Sequence, residues 1–586
     1  MPRDKTANHI KIMAAAKEEF MEVGFEKASM RRIGDRCGMT AAGLYRHCRD
    51  KEDLFDQLVA PAVERINDWL DGHIHRYVDA VQSNEQVLWR DSEVDMMREI
   101  IYPNMEEYHL LLAKSQGTKY ENFLHDLTER HQNQLLEYLP MLSERGYPVD
   151  IYYVGGVQHV SEQFELQKNI LTQIGQRLRK AIPNRDYAII VDGIFGVGLS
   201  RDVEGSHKKA IETLNQMNGI KVAIDIPSGL DATTGEILGT AFRADYTVTF
   251  GLKKLGMFFA AGIDCCGEIV CKNIGFPKAS IQSVKPKIYA YEPQDLVKLP
   301  KRFNNSNKGS YGKVAVIAGS KNMSGAAFLC SKAAYSTGVG LVKIYTHESN
   351  RVVLQSQLPE AVMMTYDDYE GALSCVEDAV KWASVIVVGP GLGVDSTSER
   401  MLYELLMNSE VPMVLDADAL NILSNNMGML KTCSVPIVMT PHMMEMSRLI
   451  GKDVSKIAKD RFAIAKRFAK EYEVNLVLKD AKSIVTNGGD QTYINLAGNN
   501  GMSTGGSGDV LAGIIAGMLA GGLDLFEASQ IGTYVHCLAG DRAAEKKGKY
   551  AMLASDIISS LGEVMRDEFE LEDIRNGHIL SGGGRH

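Results

Sequence analysis

Apolar positions recur at three- and four-residue steps in the first quarter of the chain, then give way to short unbroken runs. Ile12, Met13, Ala16 and Phe20 define one helical face over about Asn8 to Val23, and Gly24 stops it. The pattern predicts a second helix from near Ser29 through Ile33 to Cys37, ending at Gly38. Thr40 caps a short third helix, Ala41 to His47, and Lys51 opens a fourth. Helical periodicity continues beyond Leu58 to about Leu142, with Trp69, Trp89, Tyr102, Tyr108 and Phe123 along it. Around Gly146 the period changes. Val149 to Val154 is β-rich, and further strands are predicted within Tyr187 to Asp192, from Lys221, and over Tyr246 to Phe250. From Lys313 onward, apolar runs at Ser384 to Val388, Met413 to Leu415, from Val438 and from Leu476 each end in glycine or polar residues. Strand, loop and helix repeated in this way imply a predominantly parallel sheet covered on both faces.

A length of 586 residues implies roughly three or four domains. Apolar residues at 45% and charged residues at 24% exclude a disordered chain, a collagen-like fibre and a coiled-coil rod. The apolar stretches Val385 to Val388 and Ile514 to Ala520 fall well short of the ~20 residues a bilayer span requires. The chain begins as a charged amphipathic segment without an apolar signal core, so a cytoplasmic location is expected. Its nine cysteines form no Cys-x-x-Cys pair, and Cys265, Cys266 and Cys271 lack a partnering histidine cluster. Reduced, mostly buried thiols are expected rather than a disulfide framework or a zinc site. A net charge of −10 opposes polyanion binding by the whole protein. Within 31–51, however, Arg31, Arg32, Arg36, Arg46, Arg49 and Lys51 face only Asp35 and Asp50.

That local basic excess falls on two short helices joined by a glycine-containing turn, the arrangement that places its second helix in a DNA major groove. A solvated basic face on a small bundle is the bland alternative. Further along, Asp192 and Asp225 end successive strands next to glycine-rich loops, where open α/β sheets bind ligands. The bland reading of Asp192 is a strand-end carboxylate without catalytic use. Ser324 opens a helix whose free amides could meet an anion, and Lys479 sits at the mouth of a later strand. The densest segment is Gly498 to Gly513. Its glycines at 505, 506 and 508 let backbone amides crowd an oxyanion, and Asp509 falls in the first turn of the following helix. A carboxylate there can take a hydroxyl proton while the amides stabilise a transferring phosphoryl group. No Gly-Lys-Ser/Thr follows, so this is not a P-loop. A structural turn with Asp509 as a cap is the alternative.

Residues Phe20 to Phe55, with Gly-Leu-Tyr-Arg-His and Lys-Glu-Asp-Leu-Phe, resemble the DNA-binding domain of the TetR family of repressors. The resemblance implies Thr40, Ala42, Tyr45 and His47 near base edges or phosphates and Lys51 on a phosphate. Cys48 departs from the family, which usually carries an aromatic residue there. Asp-Gly-Ile-Phe-Gly-Val-Gly-Leu from Asp192 and Asp-Ile-Pro-Ser-Gly-Leu-Asp from Asp225 resemble the C-terminal part of the NAD(P)H-hydrate epimerase domain. This resemblance implies Asp192 as acid–base and, with Ser228, as a potassium ligand. Asp225, Gly196, Val197, Gly198 and Leu199 would line the hydrated nucleotide. The family's earlier Asn-Asn-Gly-Gly-Asp-Gly-like loop has no counterpart in 1–141; Leu142 to Asp150 is what normally follows it. Thr-Pro-His-x-x-Glu and Gly-Met-Ser-Thr-Gly-Gly-Ser-Gly-Asp resemble the ribokinase-like ADP- or ATP-dependent NAD(P)H-hydrate dehydratases. Here the resemblance implies Asp509 as base for the C6 hydroxyl, with Ala326, Gly393, His442 and Asp509 on the hydrated nucleotide. Lys479, Asp480, Ala481, Lys482, Ser483, Gly505, Gly506 and Gly508 would hold the adenine nucleotide, with Mg²⁺. Met443 departs from the commoner proline.

The expected fold class is multidomain: an all-α helix-turn-helix N-terminal region, a partial α/β Rossmann-like middle domain, and an α/β ribokinase-like C-terminal domain. The expected division is a DNA-binding domain at 1–60, a truncated helical regulatory segment at 61–141, a truncated epimerase domain at 142–285 and the dehydratase domain at 286–582. The expected function is ADP- or ATP-dependent dehydration of the S-epimer of hydrated NADH or NADPH, with the epimerase half inactive. The expected partners are the hydrated nucleotide, ADP or ATP, and DNA through 1–60, with no membrane and a homo-oligomeric state. Two alternatives stay open: a transcriptional regulator whose C-terminal domains sense nucleotides, and a fusion of two truncated reading frames with one surviving activity.

Overall fold

The computed structural model describes residues 5–83, 100–123, 149–154, 168–169, 171–172, 178–183, 185–272, 274 and 285–566. The helical expectation over 84–99 and 124–142, and the segment Leu142 to Pro148 with its domain boundary, lie outside the described residues. Two compact units are present, Met1–Pro183 and Asn184–His586.

In the first unit, α1 (Lys5–Lys27) is broken at Gly24, whose φ of 78° and ψ of 165° are not helical. Ser29 Oγ accepts the N–H of Arg32 at 3.3 Å and caps α2 (Met30–Cys37), which Gly38 closes in the left-handed region. Thr40 Oγ1 likewise accepts the N–H of Gly43 at 3.2 Å. The helix it caps, α3 (Ala41–Leu44), is shorter than the predicted 41–47. After Leu44 the N–H groups of Arg46 and His47 bond three residues back, to Gly43 and Leu44, so the end tightens into a turn. Helix α4 (Lys51–Ser83) and α5 (Met105–Ala113) complete the bundle. Ile12, Ala16, Phe20, Ile33, Leu44, Leu54 and Phe55 form its core with Tyr108, Leu110 and Leu111. Cys48 is buried in this core, its Sγ donating to the Leu44 carbonyl at 3.4 Å. Glu19 is fully buried on α1 and pairs with Arg32 at 2.9 Å and Arg36 at 3.1 Å, fastening α2 to α1. Strands β1 (Ile151–Tyr152) and β2 (Leu178–Arg179) pair in parallel in the same unit.

The second unit opens with four parallel strands in chain order: β3 (Ile189–Asp192), β4 (Ile220–Ile224), β5 (Tyr246–Phe250) and β6 (Glu268–Lys272). Helix α6 (Gly205–Gln216) connects β3 to β4 and buries Ala210 and Ile211. Along β3 the side chains alternate, Ile190 and Asp192 inward, Ile189 and Val191 outward and more than half exposed. Ile220 and Ile224 of β4 are also exposed. Parallel sheets ordinarily bury both faces; among the described residues nothing packs over the face that carries Ile189 and Val191.

The larger sheet runs β10-β9-β8-β11-β12-β13-β14-β15-β16-β7. Its central strands are β8 (Lys313–Ile317), β9 (Leu341–His347), β10 (Val362–Tyr366), β11 (Val385–Val388), β12 (Met413–Leu415), β13 (Ile437–Met439) and β14 (Asn475–Leu478), all parallel. Antiparallel β15 (Ile484–Thr486) and β16 (Thr492–Ile494) follow, and β7 (Ile288–Tyr289) closes the edge. Alternate residues serve two cores. Val314, Val316, Val385 and Val387 pack with helices α7 (Ser324–Ser336) and α13 (Ser507–Ala520). Ala315, Ile317, Ile386 and Val388 pack with α8 (Tyr369–Trp382), α9 (Ser396–Asn408), α10 (Asp418–Asn425), α11 (Met443–Ile450) and α12 (Arg461–Tyr472). Helix α14 (Leu525–Lys547) lies on the α7 and α13 side. Strand order reverses between β8 and β11, which puts a crevice at their carboxyl ends. All nine cysteines are free; Cys48, Cys265, Cys266, Cys330 and Cys375 are buried.

Candidate active site

The loops leaving β8 and β11 are laced together at that reversal. Gly319 N–H donates to the Pro390 carbonyl at 3.0 Å and Ser320 N–H to Gly391 at 2.6 Å. Buried Asn350 holds the carbonyls of Gly319 and Ser320. Ala326, in the first turn of α7, lies against this loop; a Cβ on Gly391 would come 3.0 Å from its own. Gly393 donates its N–H to Asp418 Oδ2 at 2.9 Å. Ala326 and Gly393 therefore belong to one crevice.

The next two strands bring carboxylates to the same edge. Asp416, just past β12, is 1% exposed and accepts from Thr440 Oγ1 and from Lys479 Nζ, each at 2.7 Å. Ala417 beside it has a φ of 49°, a left-handed conformation unusual for a residue with a side chain. His442 caps α11: its Nδ1 accepts the N–H groups of Met444 at 3.1 Å and Glu445 at 3.2 Å, and its own N–H donates to Glu445 Oε2 at 2.8 Å. With Nδ1 an acceptor, burial and nearby Lys479 keep the imidazole's pKa below its ordinary value. Lys479 N–H binds the Pro441 carbonyl at 2.8 Å, which sets the ammonium between Asp416 and, at 4.0 Å, Glu445. Burial alone would depress the Lys479 pKa, but Asp416 and Glu445 outweigh it and the ammonium is held above its usual range. Burial, then Asp416, push Glu445 up.

Asp509 completes the cluster from α13. Gly506 caps that helix at φ 88°, and a Cβ on Gly508 would lie 3.2 Å from Lys479 Nζ, a tight contact. Gly505 faces open space. Burial, and then the Asp416 carboxylate, push the Asp509 pKa up to about 7 against the pull of Lys479. A carboxylate with that pKa at a helix N-terminus is suited to general-base work near neutrality. Asp480 bonds Arg461 at 2.8 Å and receives the N–H of Ala481 at 2.9 Å; Lys482 Nζ donates to the Leu496 carbonyl at 2.6 Å, and Ser483 is buried. The expected residues from Ala326 to Asp509 thus share one sheet edge. Asp416, Asp418, Thr440 and Glu445 carry much of the electrostatics without having been assigned a role from sequence. Their signal was present: two aspartates directly after β12, and the glutamate three residues past His442.

In the middle sheet, Asp192 is 1% exposed and accepts from Ser228 N–H and Oγ, both at 2.7 Å, and from Ile194 N–H at 3.2 Å. Burial raises its pKa against those bonds. Gly196, Val197 and Gly198 lie exposed in the following turn, closed by Leu199 N–H on Gly196 at 3.3 Å. Asp225 has a φ of 67° and is ion-paired with Lys254, which also binds Thr249. In the first unit Thr40, Ala42 and Tyr45 are exposed and His47 is half-buried. Lys51, expected on a phosphate, has its ammonium engaged within the first unit. Its ammonium donates to the carbonyls of Phe25 at 2.8 Å, Glu26 at 3.3 Å and Ala28 at 3.1 Å and lies 4.2 Å from the Phe25 ring centroid. With three donors on three carbonyls, it fastens the end of α1 instead.

The fold and site define an α/β domain with a polar crevice at the carboxyl edge of a largely parallel sheet. Family comparison agrees: the NAD(P)H-hydrate dehydratase family matches residues 314–562, the YjeF-related protein N-terminus 137–256, and the bacterial regulatory proteins of the tetR family 12–58. The bifunctional NAD(P)H-hydrate repair enzyme Nnr of Thermofilum pendens is 37% identical over 393 residues, covering 66% of this chain and 74% of that protein. Its namesake from Moorella thermoacetica is 34% identical over 463 residues, covering 76% and 86%. A Bacillus subtilis ADP/ATP-dependent NAD(P)H-hydrate dehydratase structure is 28% identical over 47% of this chain and 97% of that one, with a TM-score of 0.43. The chain belongs to the bifunctional NAD(P)H-hydrate repair enzyme family, and its function is nicotinamide nucleotide repair by an ADP- or ATP-dependent NAD(P)H-hydrate dehydratase.

Proposed function

We propose that Asp509 is the general base of this dehydration, acting on the C6 hydroxyl of the S-epimer of the hydrated dihydronicotinamide. The hydroxyl oxygen attacks the terminal phosphoryl group of ADP or ATP as Asp509 takes its proton, and the shortened nucleotide departs. The C6–O bond then breaks with loss of phosphate, a proton leaves C5, and the ring double bond returns. Amides of 505–508 and the N-terminus of α13 face the transferring group. Ala326, Gly393 and His442 line the hydrated nucleotide, and the turn from Lys479 to Ser483 takes the adenine nucleotide. Among the described residues no group of three or more His, Cys, Asp or Glu is placed to hold a metal ion, and the Asp416 carboxylate is taken up by Thr440 and Lys479, so any Mg²⁺ would come bound to the nucleotide's phosphates rather than to a site built by this chain. Mg²⁺ would draw charge off the phosphates. The observation carrying this reading is the Asp509 carboxyl poised at about pH 7 in the first turn of α13. Asp509→Asn tests it, with turnover expected to fall by about 10²–10⁴-fold while the fold is kept. Near-normal ADP-dependent NADH recovery in that variant removes Asp509 from the mechanism.

The open face of the middle sheet supports a partial, inactive epimerase domain within 142–285. Asp192 and Ser228 bond one another, and two such groups alone do not make a potassium site. The exposed Thr40, Ala42 and Tyr45 on a capped helix-turn-helix support a second role at 1–60 in DNA binding, with 61–141 as a shortened regulatory segment and a homodimer reading two half-sites. A dinucleotide substrate favours a cytoplasmic site of action; no helix among the described residues is long and apolar enough to cross a membrane.

A further inference from the structure

The middle sheet reaches the dehydratase domain through an aromatic ring. After β5 the chain passes through a short 3₁₀ turn, Leu255–Phe258, and delivers Phe259 into the core beneath α12, where it is 3% exposed. The delivery is constrained. Ala260 adopts a φ of 47°, left-handed for a residue with a side chain, and such strain persists only where the surroundings hold it. Gly256 N–H on the Ala232 carbonyl at 2.7 Å and Ala261 N–H on Gly235 at 3.0 Å supply that hold from the middle domain.

Phe259 meets Phe462 edge-on, with centroids 5.3 Å apart and planes at 90°, and the guanidinium of Arg461 lies 4.4 Å from its ring centroid. Arg461 is 11% exposed; it donates through Nε to the Ala458 carbonyl at 2.9 Å and through a terminal nitrogen to Asp480 Oδ2 at 2.8 Å. A guanidinium this buried needs every partner it has, and the ring face is one of them. Asp480 follows Lys479 directly, and its second oxygen accepts the N–H of Ala481, shaping the turn to Lys482 and Ser483. Ring, guanidinium, carboxylate and turn form a continuous chain.

We propose that Phe259 and Arg461 are positioning residues for the adenine nucleotide, and that the incomplete middle domain serves the dehydratase by holding the 479–483 turn in shape. This rests on the reading of 479–483 as the nucleotide turn. A phenylalanine needed only as packing is replaceable by leucine; one needed for its face over a cation is not.

The test uses the full-length chain with ADP and the hydrated S-epimer. Phe259→Leu and Arg461→Met are expected to raise KM for ADP about three- to tenfold, part of the roughly 30-fold that a desolvated cation–π contact represents. Turnover at saturating ADP stays within about twofold and KM for the hydrate is unchanged, because the Asp509 cluster is untouched. Phe259→Tyr, which keeps the ring face, restores KM for ADP to near the parent value. Phe259→Leu with a lowered Tm but an unchanged KM for ADP means the ring only packs, and overturns the proposal. Lys482→Ala separates the two readings. If it raises KM for ADP while Phe259→Leu and Arg461→Met do not, the positioning chain fails alone. If none of the three changes KM for ADP, the nucleotide lies elsewhere and both readings fall.

Discussion

Asp509 is set apart from the other strand-end and helix-start carboxylates by its titration. Its proton is held to about pH 7 by burial and by Asp416, so as a base it works only above that pH. We expect kcat/KM for the hydrate to rise with pH through about 7 and level off above it, a limb that Asp509→Asn abolishes along with the rate. The same shift carries a stability cost of known sign. A carboxyl with a raised folded-state pKa binds its proton more tightly in the folded chain, so its contribution is full below its ordinary value of 3.8 and is lost as pH climbs toward 7. Asp509→Asn should therefore melt higher than the parent at pH 8, by about a few degrees, with the gain shrinking toward pH 5. Equal melting at pH 8 would show that Asp509 carries no such strain. The glycines around Asp509 made its place legible in the sequence, because few other residues can line an anion cradle. Its pKa was not legible, because Asp416 and Glu445 are 93 and 64 positions away and meet it only through the sheet. Lys51 shows the converse. Sequence resemblance pointed it at a phosphate, whereas proximity to the end of α1 gives its ammonium three carbonyls. Lys51→Ala is expected to lower the melting temperature of the first unit.

At the scale of elements, the arrangement depends on strands that end at one edge and on a helix that begins there. Helix α13 approaches so closely that Gly508 sits against the Lys479 ammonium. A methyl group at 508 would press on that ammonium and shift it by a few tenths of an ångström against Asp416, so Gly508→Ala should lower turnover modestly without unfolding the domain, checked by steady-state rates beside circular dichroism. Lys479→Met is harsher. It leaves Asp416, 1% exposed, without its cation, and removing one partner of a buried pair costs about 3–5 kcal/mol. Chemical denaturation reads that loss directly. Helix starts were the most legible elements: Ser29, Thr40 and Ser324 stand where the chain turns into α2, α3 and α7. Helix ends were less so. Nothing in Tyr45 to His47 forbids a helix, and α3 stops because the following N–H groups of Arg46 and His47 bond three residues back instead of four. Strand order was not legible either; the reversal between β8 and β11 that makes the crevice is a property of the assembled sheet.

At the scale of the whole chain, the question is what the YjeF-related segment and the helical N-terminal region add to a dehydratase. For the helix-turn-helix the expected outcome is binding of duplex DNA by the full chain, with affinity falling steeply between about 50 and 200 mM salt. Tyr45→Ala weakens that binding; absence of binding at low salt would leave the basic cluster of 31–51 as a solvated face. For the middle sheet, Asp192 and Ser228 survive at the carboxyl ends of β3 and β4, yet Ile189, Val191, Ile220 and Ile224 stand exposed on the face that a complete parallel sheet would cover. Acid–base catalysis depends on holding the reacting carbon within a fraction of an ångström, and a carboxylate without a positioning partner across the site loses most of its effect. The purified R-epimer supplied with ADP should therefore yield NADH no faster than spontaneous epimerisation feeds the S-epimer to the dehydratase. Asp192→Asn should leave both that rate and dehydration of the S-epimer unchanged. If the R-epimer is consumed much faster than it epimerises unaided, and Asp192→Asn slows it, then the middle sheet is a working epimerase and the proposal of an inactive half falls.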